Sequence, residues 1–253
     1  WYFQPKAQQK GISVDYDTGS IISVANGDFS NMISEVHDIL GQKIEMLGMD
    51  ACIMQSWEII YEAAPFANYF VASQDYEGYD GWNYEGTMAD LIANPYMDGE
   101  ELGASVGQRF IETGDLTQST IDLGQLHLLN TKLDAFAHEF IAAPELSVYQ
   151  QSVERSYSYD GDWGVDHDLR SILSTFVDRS ENPTLKSKAQ EAIEILDGLI
   201  TSNYTHEAIS GANGLSIYTP NPYMSGLESS YLHASWSQDT LWDDMLKEIF
   251  AQH

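Results

Sequence analysis

Apolar residues recur along the chain at two spacings, and the change from one to the other marks out its elements. Residues 29–40 carry Met32, Ile33, Val36 and Leu40 on one side, which is helical spacing. The run 43–49 is short, apolar-rich and bounded by Gly41 and a turn at Asp50, as a buried strand would be. A helix is predicted over 53–64, with Ile53, Trp57, Ile60 and Ala64 on one face and Pro65 closing it. "NYFVA", 68–72, is the next strand, and a loop follows through "SQDYEGYDGWNYEG". Helices are predicted near 86–93 and over 98–113, 123–141, 166–178 and 184–203. "GLSIYTP", 214–220, is a late strand; a closing helix over 240–251 aligns Leu241, Met245 and Ile249, with Thr240 as its cap. Residues 1–30, with "KAQQKG" and "DYDTGS", read as loop and turn, Lys6 and Lys10 exposed. Strands joined by long helices imply an α/β fold whose parallel sheet is covered on both faces. Three strands make a thin sheet, so further strands are expected.

Composition narrows the function classes. With 253 residues, 43% hydrophobic and 12% aromatic, the chain can bury a sizeable core. No repeat and no Pro/Gly/Ser-rich linker divides it. A net charge of −28, from 39 acidic against 11 basic residues, excludes a nucleic-acid backbone or an anionic membrane surface as partner. The same charge attracts cations, although a salt-tolerant surface carries it too. One cysteine allows no internal disulfide, and no apolar run of 18 residues is present to span a membrane. The chain opens on Trp1 without a leader pattern, as a processed chain or a piece of a longer one would.

The one thiol, Cys52, stands where the predicted 43–49 strand hands over to the predicted 53–64 helix. A helix N-terminus favours thiolate, its amides could hold an oxyanion, and the carboxyl edge of a parallel strand is where α/β proteins bind ligands. A buried structural cysteine fits the same spacing. The residues alone leave both readings open.

The segment "DACIMQSWEIIYEAAPFANYFVASQDYEGYDGWNY" resembles the nucleophile segment of the clostripain family of cysteine peptidases. "STIDLGQL" at 119–126, "GLSIYTP" at 214–220 and the terminal "TLWDDMLKEI" agree with it, so the resemblance runs from about residue 11 to the end. It implies a caspase-like α/β/α sandwich with a mainly parallel central sheet, its first strands upstream, and residues 1–253 as the nucleophile-bearing part of one peptidase domain. It also implies cleavage after Arg or Lys, zymogen processing, and a secreted or periplasmic location. By the same resemblance Cys52 is the nucleophile, and Asp50 and Asp80 are the acids that receive the cationic P1 side chain. A buried guanidinium or ammonium needs such partners. Turn capping for Asp50 and a solvated loop acid for Asp80 are the plainer alternatives. Gln55 departs from the family pattern, which has Gly there.

A cysteine peptidase needs a histidine base. The resemblance places it before the cysteine, in a His-Gly turn at the end of the neighbouring strand. His37 is the one upstream histidine of seven; it lies mid-helix in "SEVHDIL" with no Gly beside it, and reads as a surface residue. His167 and His206 match no motif. The base is therefore expected on a segment upstream of Trp1, the partner of this chain after cleavage in the interval that holds Lys6 and Lys10. No cofactor is needed for the chemistry. Asp160, Asp162, Asp166 and Asp168 beside His167 leave calcium open, without EF-hand spacing. Tyr76, Tyr79, Trp82 and Tyr84 are expected to wall the substrate cleft. The competing reading is an inactive peptidase-like module that binds basic peptides.

Overall fold

The computed structural model describes residues 11–15, 17–159, 164–209, 211–221, 223 and 227–252. In chain order its elements are β1 (Gly11–Val14), β2 (Ile21–Ser23), α1 (Asp28–Leu40), β3 (Ile44–Met49), α2 (Trp57–Ala63), β4 (Ala67–Ala72), α3 (Tyr84–Ala93) and α4 (Gly99–Ile111). Then come β5 (Thr117–Asp122), α5 (Leu126–Ala142), α6 (Leu146–Arg155), β6 (Asp166–Asp168), α7 (Leu169–Arg179), α8 (Pro183–Leu199), β7 (Ile200–Thr205) and β8 (Ser216–Tyr218). Helices α9 (Ser229–His233), α10 (Ser235–Asp239) and α11 (Trp242–Ala251) close the chain.

The central sheet has the order β3-β4-β5-β7. Strand β3 runs parallel to β4, while β5 is antiparallel to both its neighbours, so β3, β4 and β7 point the same way. Alternation along β4 separates two helical layers. Phe70 and Ala72 enter the main core with Trp57, Ile60, Ile121, Leu129 and Phe136. Val71 faces α4 instead, where a Cβ on Gly103 would meet it at 2.9 Å and Thr120 at 2.6 Å. Gly99 and Gly107, one turn to either side of Gly103, approach Tyr69 and Tyr204 as closely. That glycine stripe lets α4 lie directly on the sheet.

Most elements fall where the hydrophobic pattern places them, and the departures have physical reasons. The 53–64 helix begins only at Trp57, because residues 53–56 are bound to the chain beyond β4 instead. Strand β5 escapes a hydrophobic pattern because Thr117, Gln118, Ser119 and Thr120 are polar yet buried, with Ser119 Oγ donating to Gly214 O at 2.7 Å and Ser202 Oγ to Thr120 Oγ1 at 2.9 Å. The 184–203 helix stops at Leu199, and Ile200–Thr205 is strand β7, its apolar positions continuing the helix pattern without a break. Residues 166–168 are strand, and α7 starts at Leu169 with Asp168 Oδ1 accepting the Ser171 N–H at 2.8 Å. Thr240 does not cap α11: its hydroxyl donates to Trp236 O at 2.6 Å. Strands β1 and β2 form a hairpin inside the stretch read as loop, too short for alternation to register. Among the described residues no helix is long and apolar enough to cross a membrane.

Gly103→Ala is expected to lower stability to urea by about 1–3 kcal/mol, because α4 has to lift from the sheet. Gly198→Ala, on a helix position with nothing within 4 Å of the new methyl, is expected to raise it by about 0.5–1 kcal/mol. Equal shifts in the two variants would show that the glycine stripe does not set the distance of α4.

Candidate active site

Strand β3 ends at Met49 and delivers Asp50, Ala51 and Cys52 to the carboxyl edge of the sheet. The chain then turns sharply. Ile53, a β-branched residue, has φ 57°, a left-handed conformation that costs such side chains about 1–3 kcal/mol. The turn is held by the Ile53 N–H on Asp75 O at 3.0 Å and the Gln55 N–H on Ser73 O at 2.9 Å. These amides are thus engaged, and Cys52 lies five residues before α2. The sulfur is not at a helix mouth, which corrects the dipole argument from spacing. A different amide serves it: the Glu77 N–H donates to Cys52 Sγ at 3.3 Å. The side chain is half-buried rather than sealed in hydrocarbon. Gln55 is fully buried, its carbonyl accepting from the Ser216 N–H at 3.0 Å and its hydroxyl at 3.1 Å, so it ties the turn to β8.

The loop beyond β4 carries the groups that face Cys52, and a buried polar network makes it rigid. Ser73 Oγ and Thr117 Oγ1 lie 2.9 Å apart, and Thr117 Oγ1 also accepts the Gln74 N–H at 3.0 Å. Gln74 reaches the Tyr159 hydroxyl at 2.9 Å and accepts the Gly214 N–H at 2.9 Å. Asp75 accepts from the Tyr157 hydroxyl at 3.1 Å, and burial raises its carboxyl above the usual range. Fully satisfied networks of this kind fix backbone position.

Asp50 and Glu77 meet beside the thiol. Asp50 accepts from the Tyr84 hydroxyl at 2.7 Å and the Trp82 N–H at 3.3 Å. Glu77 accepts from the Trp82 indole N–H at 3.4 Å, so Trp82 donates to both acids and holds them side by side. Burial first, then the Asp50 charge, push the Glu77 carboxyl up to about 8, and the Asp50 bond pushes the Tyr84 hydroxyl up to about 12. Two glycines make this approach feasible. A Cβ on Gly48 would lie 2.6 Å from the Trp82 ring, and one on Gly81 2.8 Å from Asp50 Oδ2, with Gly81 already at φ 65°.

Of the acids expected from the sequence, Asp50 lies exposed next to Cys52, held by Tyr84 and Trp82. Asp80 is exposed on the Gly78–Gly81 turn, one residue from the backbone that Asp50 touches. Glu77 was not singled out. Its signal was weak: an acid in the loop after β4, five residues before Trp82, with nothing local to distinguish it from Asp80. Of the aromatic residues, Trp82 and Tyr84 line the acid pair with ring centroids 6.3 Å apart, whereas Tyr79 is fully exposed.

Four of the described histidines can be placed against Cys52, and none is beside it. The His37 ring packs on Phe66, centroids 5.8 Å apart, at the amino edge of the sheet. Cys52 is at the carboxyl edge, and a six-residue strand spans roughly 20 Å. His127 lines a cleft with Lys43 and Phe66 at that same far edge. His206 follows β7 at the carboxyl edge, but three strand spacings from β3, about 14 Å. His167 is buried with Nδ1 2.9 Å from Thr219 Oγ1; burial pulls it down to about 4, so it stays neutral. Of the acidic loop, Asp160 and Asp162 lie outside the described residues. Asp168 is occupied by Asn213, Tyr159 and Ser171, and no metal-holding cluster occurs among the described residues.

The sequence matches the clostripain family over residues 2–248. The chain belongs to that family. Solved structures of clostripain-type proteases are similar in fold. A cysteine protease from B. fragilis superposes with TM-score 0.66 at 16% identity, over 92% of this chain and 98% of that one. A clostripain from Bacteroides thetaiotaomicron, in complex with the peptide inhibitor BTN-VLTK-AOMK, gives 0.56 at 15% identity, over 89% and 97%. A secreted C11 cysteine protease from the same organism, with an irreversible peptide inhibitor, gives 0.56 at 16% identity, over 91% and 68%. No curated protein sequence matches. The clostripain-family chain therefore has the caspase-like α/β/α architecture of cysteine peptidases, with a mixed central sheet in which three strands run one way.

Glu77 keeps its proton in the folded protein between pH 4.5 and about 8, where the unfolded chain has lost it. The folded state then binds more protons, so stability falls as pH rises through that window, by up to roughly 1.4 kcal/mol per unit. Glu77→Gln carries no such proton. Its urea stability relative to the parent is expected to rise steadily from pH 4.5 to pH 8; a constant difference would contradict the raised Glu77 carboxyl.

Proposed function

We propose that the chain bears the nucleophile of a cysteine endopeptidase that cleaves after Lys or Arg. The observation that carries this is Cys52 Sγ held at 3.3 Å by the amide of Glu77, whose carboxyl lies against Asp50. Nucleophile and cation-binding acids are thereby within one side chain of each other. In the reaction Sγ attacks the carbonyl carbon after the cationic residue, and a thioester forms as the amine leaves. The thiol proton passes to a histidine and from it to the leaving amine; water then hydrolyses the thioester and restores the thiol. Asp50, with Asp80 on the adjoining turn, receives the ammonium or guanidinium. A relative crystallised with an inhibitor written VLTK is consistent with that choice, and a relative described as secreted with an extracellular site of action.

The base, on this reading, comes from a separate segment. Among the described residues β3 has a strand neighbour only on its β4 side, and Ile44, Met46, Leu47 and Met49 on it are all partly exposed. Helix α1, which turns directly into β3, exposes Met32, Val36, Ile39 and Leu40 at helical spacing. An open apolar edge of this kind is a pairing surface. A strand added there would end beside Cys52, which is where a histidine is required.

The test is labelling of Cys52 by acyloxymethyl ketones with the His-bearing segment present, read by intact mass and peptide mapping. Lys and Arg reagents are expected to modify Cys52 and an Asp reagent is not. Asp50→Asn and Asp80→Asn should each reduce kcat/KM on Lys/Arg substrates about 10–100-fold, the worth of one charge-assisted hydrogen bond. Failure of every reagent to label Cys52 would favour the alternative, a module that binds basic peptides without cutting them.

A further inference from the structure

Glu77 serves Cys52 through its amide and carries a carboxyl beside it. That carboxyl is drawn from water, touches Asp50 and accepts one bond from the Trp82 indole at 3.4 Å. The donors described for the acid pair are all neutral: the Trp82 N–H, the Trp82 indole and the Tyr84 hydroxyl. Neither acid belongs to any ion pair among the described residues. Among the described residues, the groups facing Glu77 bring no positive charge. They are Asp50 from the end of β3, Cys52 from the nucleophile turn, Tyr84 from the start of α3, and Asp115 before β5, whose Oδ1 accepts the Gly78 N–H at 2.8 Å. Asp80 rides the same loop in solvent.

Of two neighbouring carboxyls, the one drawn from water keeps its proton while no cation is near. The free site therefore holds a proton on the pair, and the rise of Glu77 to about 8 agrees with the geometry. We propose that Glu77 is a specificity-determining residue, giving up its proton as the substrate's ammonium or guanidinium settles between it and Asp50. This rests on the Lys/Arg reading above. The balance is closed: a neutral carboxylic acid and a bound cation become an ion pair, and one proton goes to solvent. A neutral P1 side chain cannot drive that exchange and leaves the pair protonated, so discrimination arises from the proton as well as from the fit. Because the Glu77 amide also holds Sγ, the residue that reads the substrate is the one that positions the nucleophile.

The test is calorimetric titration of the chain with agmatine, a guanidinium probe with no scissile bond, in buffers of different ionisation enthalpy. Close to one proton is expected to leave per agmatine bound below about pH 8, with affinity weakening about tenfold for each pH unit on acidification. Glu77→Gln is expected to abolish both the proton release and the slope, while Asp80→Asn weakens binding and keeps them. The circular dichroism spectrum and urea midpoint of Glu77→Gln at pH 7 check that it is folded. Should that variant not fold, Glu77→Asp is expected to retain the proton release at lower affinity. Wild-type proton release and slope in Glu77→Gln, or a flat profile in a folded Glu77→Asp, would overturn the role of Glu77 and leave the Lys/Arg reading standing. No agmatine binding by the parent at any pH would overturn both.

Discussion

Everything at the carboxyl edge depends on how residues 52–55 are tied to residues 73–77. A strand that ends in a helix usually presents its last residue to that helix's amides. Here the chain spends the Ile53 and Gln55 amides on Asp75 and Ser73 instead, and accepts φ 57° at a β-branched residue to do so. The gain is that Cys52 faces the Glu77 amide rather than the start of α2. The strain is tolerated because the other side of the contact cannot move. Ser73 and Gln74 are locked to Thr117 on β5, to Tyr159 and to Gly214, so the loop is braced from three directions.

The acid pair gives the net charge of −28 a local meaning. Many of the other acids are exposed on helices and loops, where their effect is a diffuse attraction for cations. Asp50 and Glu77 differ because Glu77 is half-buried beside Asp50 and the donors described for both are neutral. Diffuse charge attracts cations to the whole surface; on the proposed reading, the acid pair selects the side chain that enters beside Cys52.

The sequence made the frame of the fold legible, and the misses share one cause. Hydrophobic spacing located β4 and α5 because their buried faces are apolar, and β3 and α1 although much of their apolar surface stays exposed. It failed at β5, whose buried residues are Thr, Gln and Ser, and at β7, where Ile200 continues the pattern of α8. The same blindness applied at the site. Cys52 and Asp50 were visible in a local motif. Glu77 became distinct from Asp80 only once Gly48 and Gly81 allowed Trp82 and Asp50 to close around it, a contact between segments some thirty residues apart. The turn at Ile53 left no sequence trace, because a left-handed isoleucine is what local propensity argues against.

The central claim is that the sulfur of Cys52 and a cation-binding acid pair share one cleft. Its most direct measurement is the ratio of Cys52 alkylation rates by 2-bromoethylamine and by iodoacetamide, relative to the same ratio for free cysteine, at low salt. The account predicts a preference for the cationic reagent of about tenfold or more, lost in Asp50→Asn although that change alters the net charge by only one. A ratio equal to that of free cysteine, or one insensitive to Asp50, would contradict it.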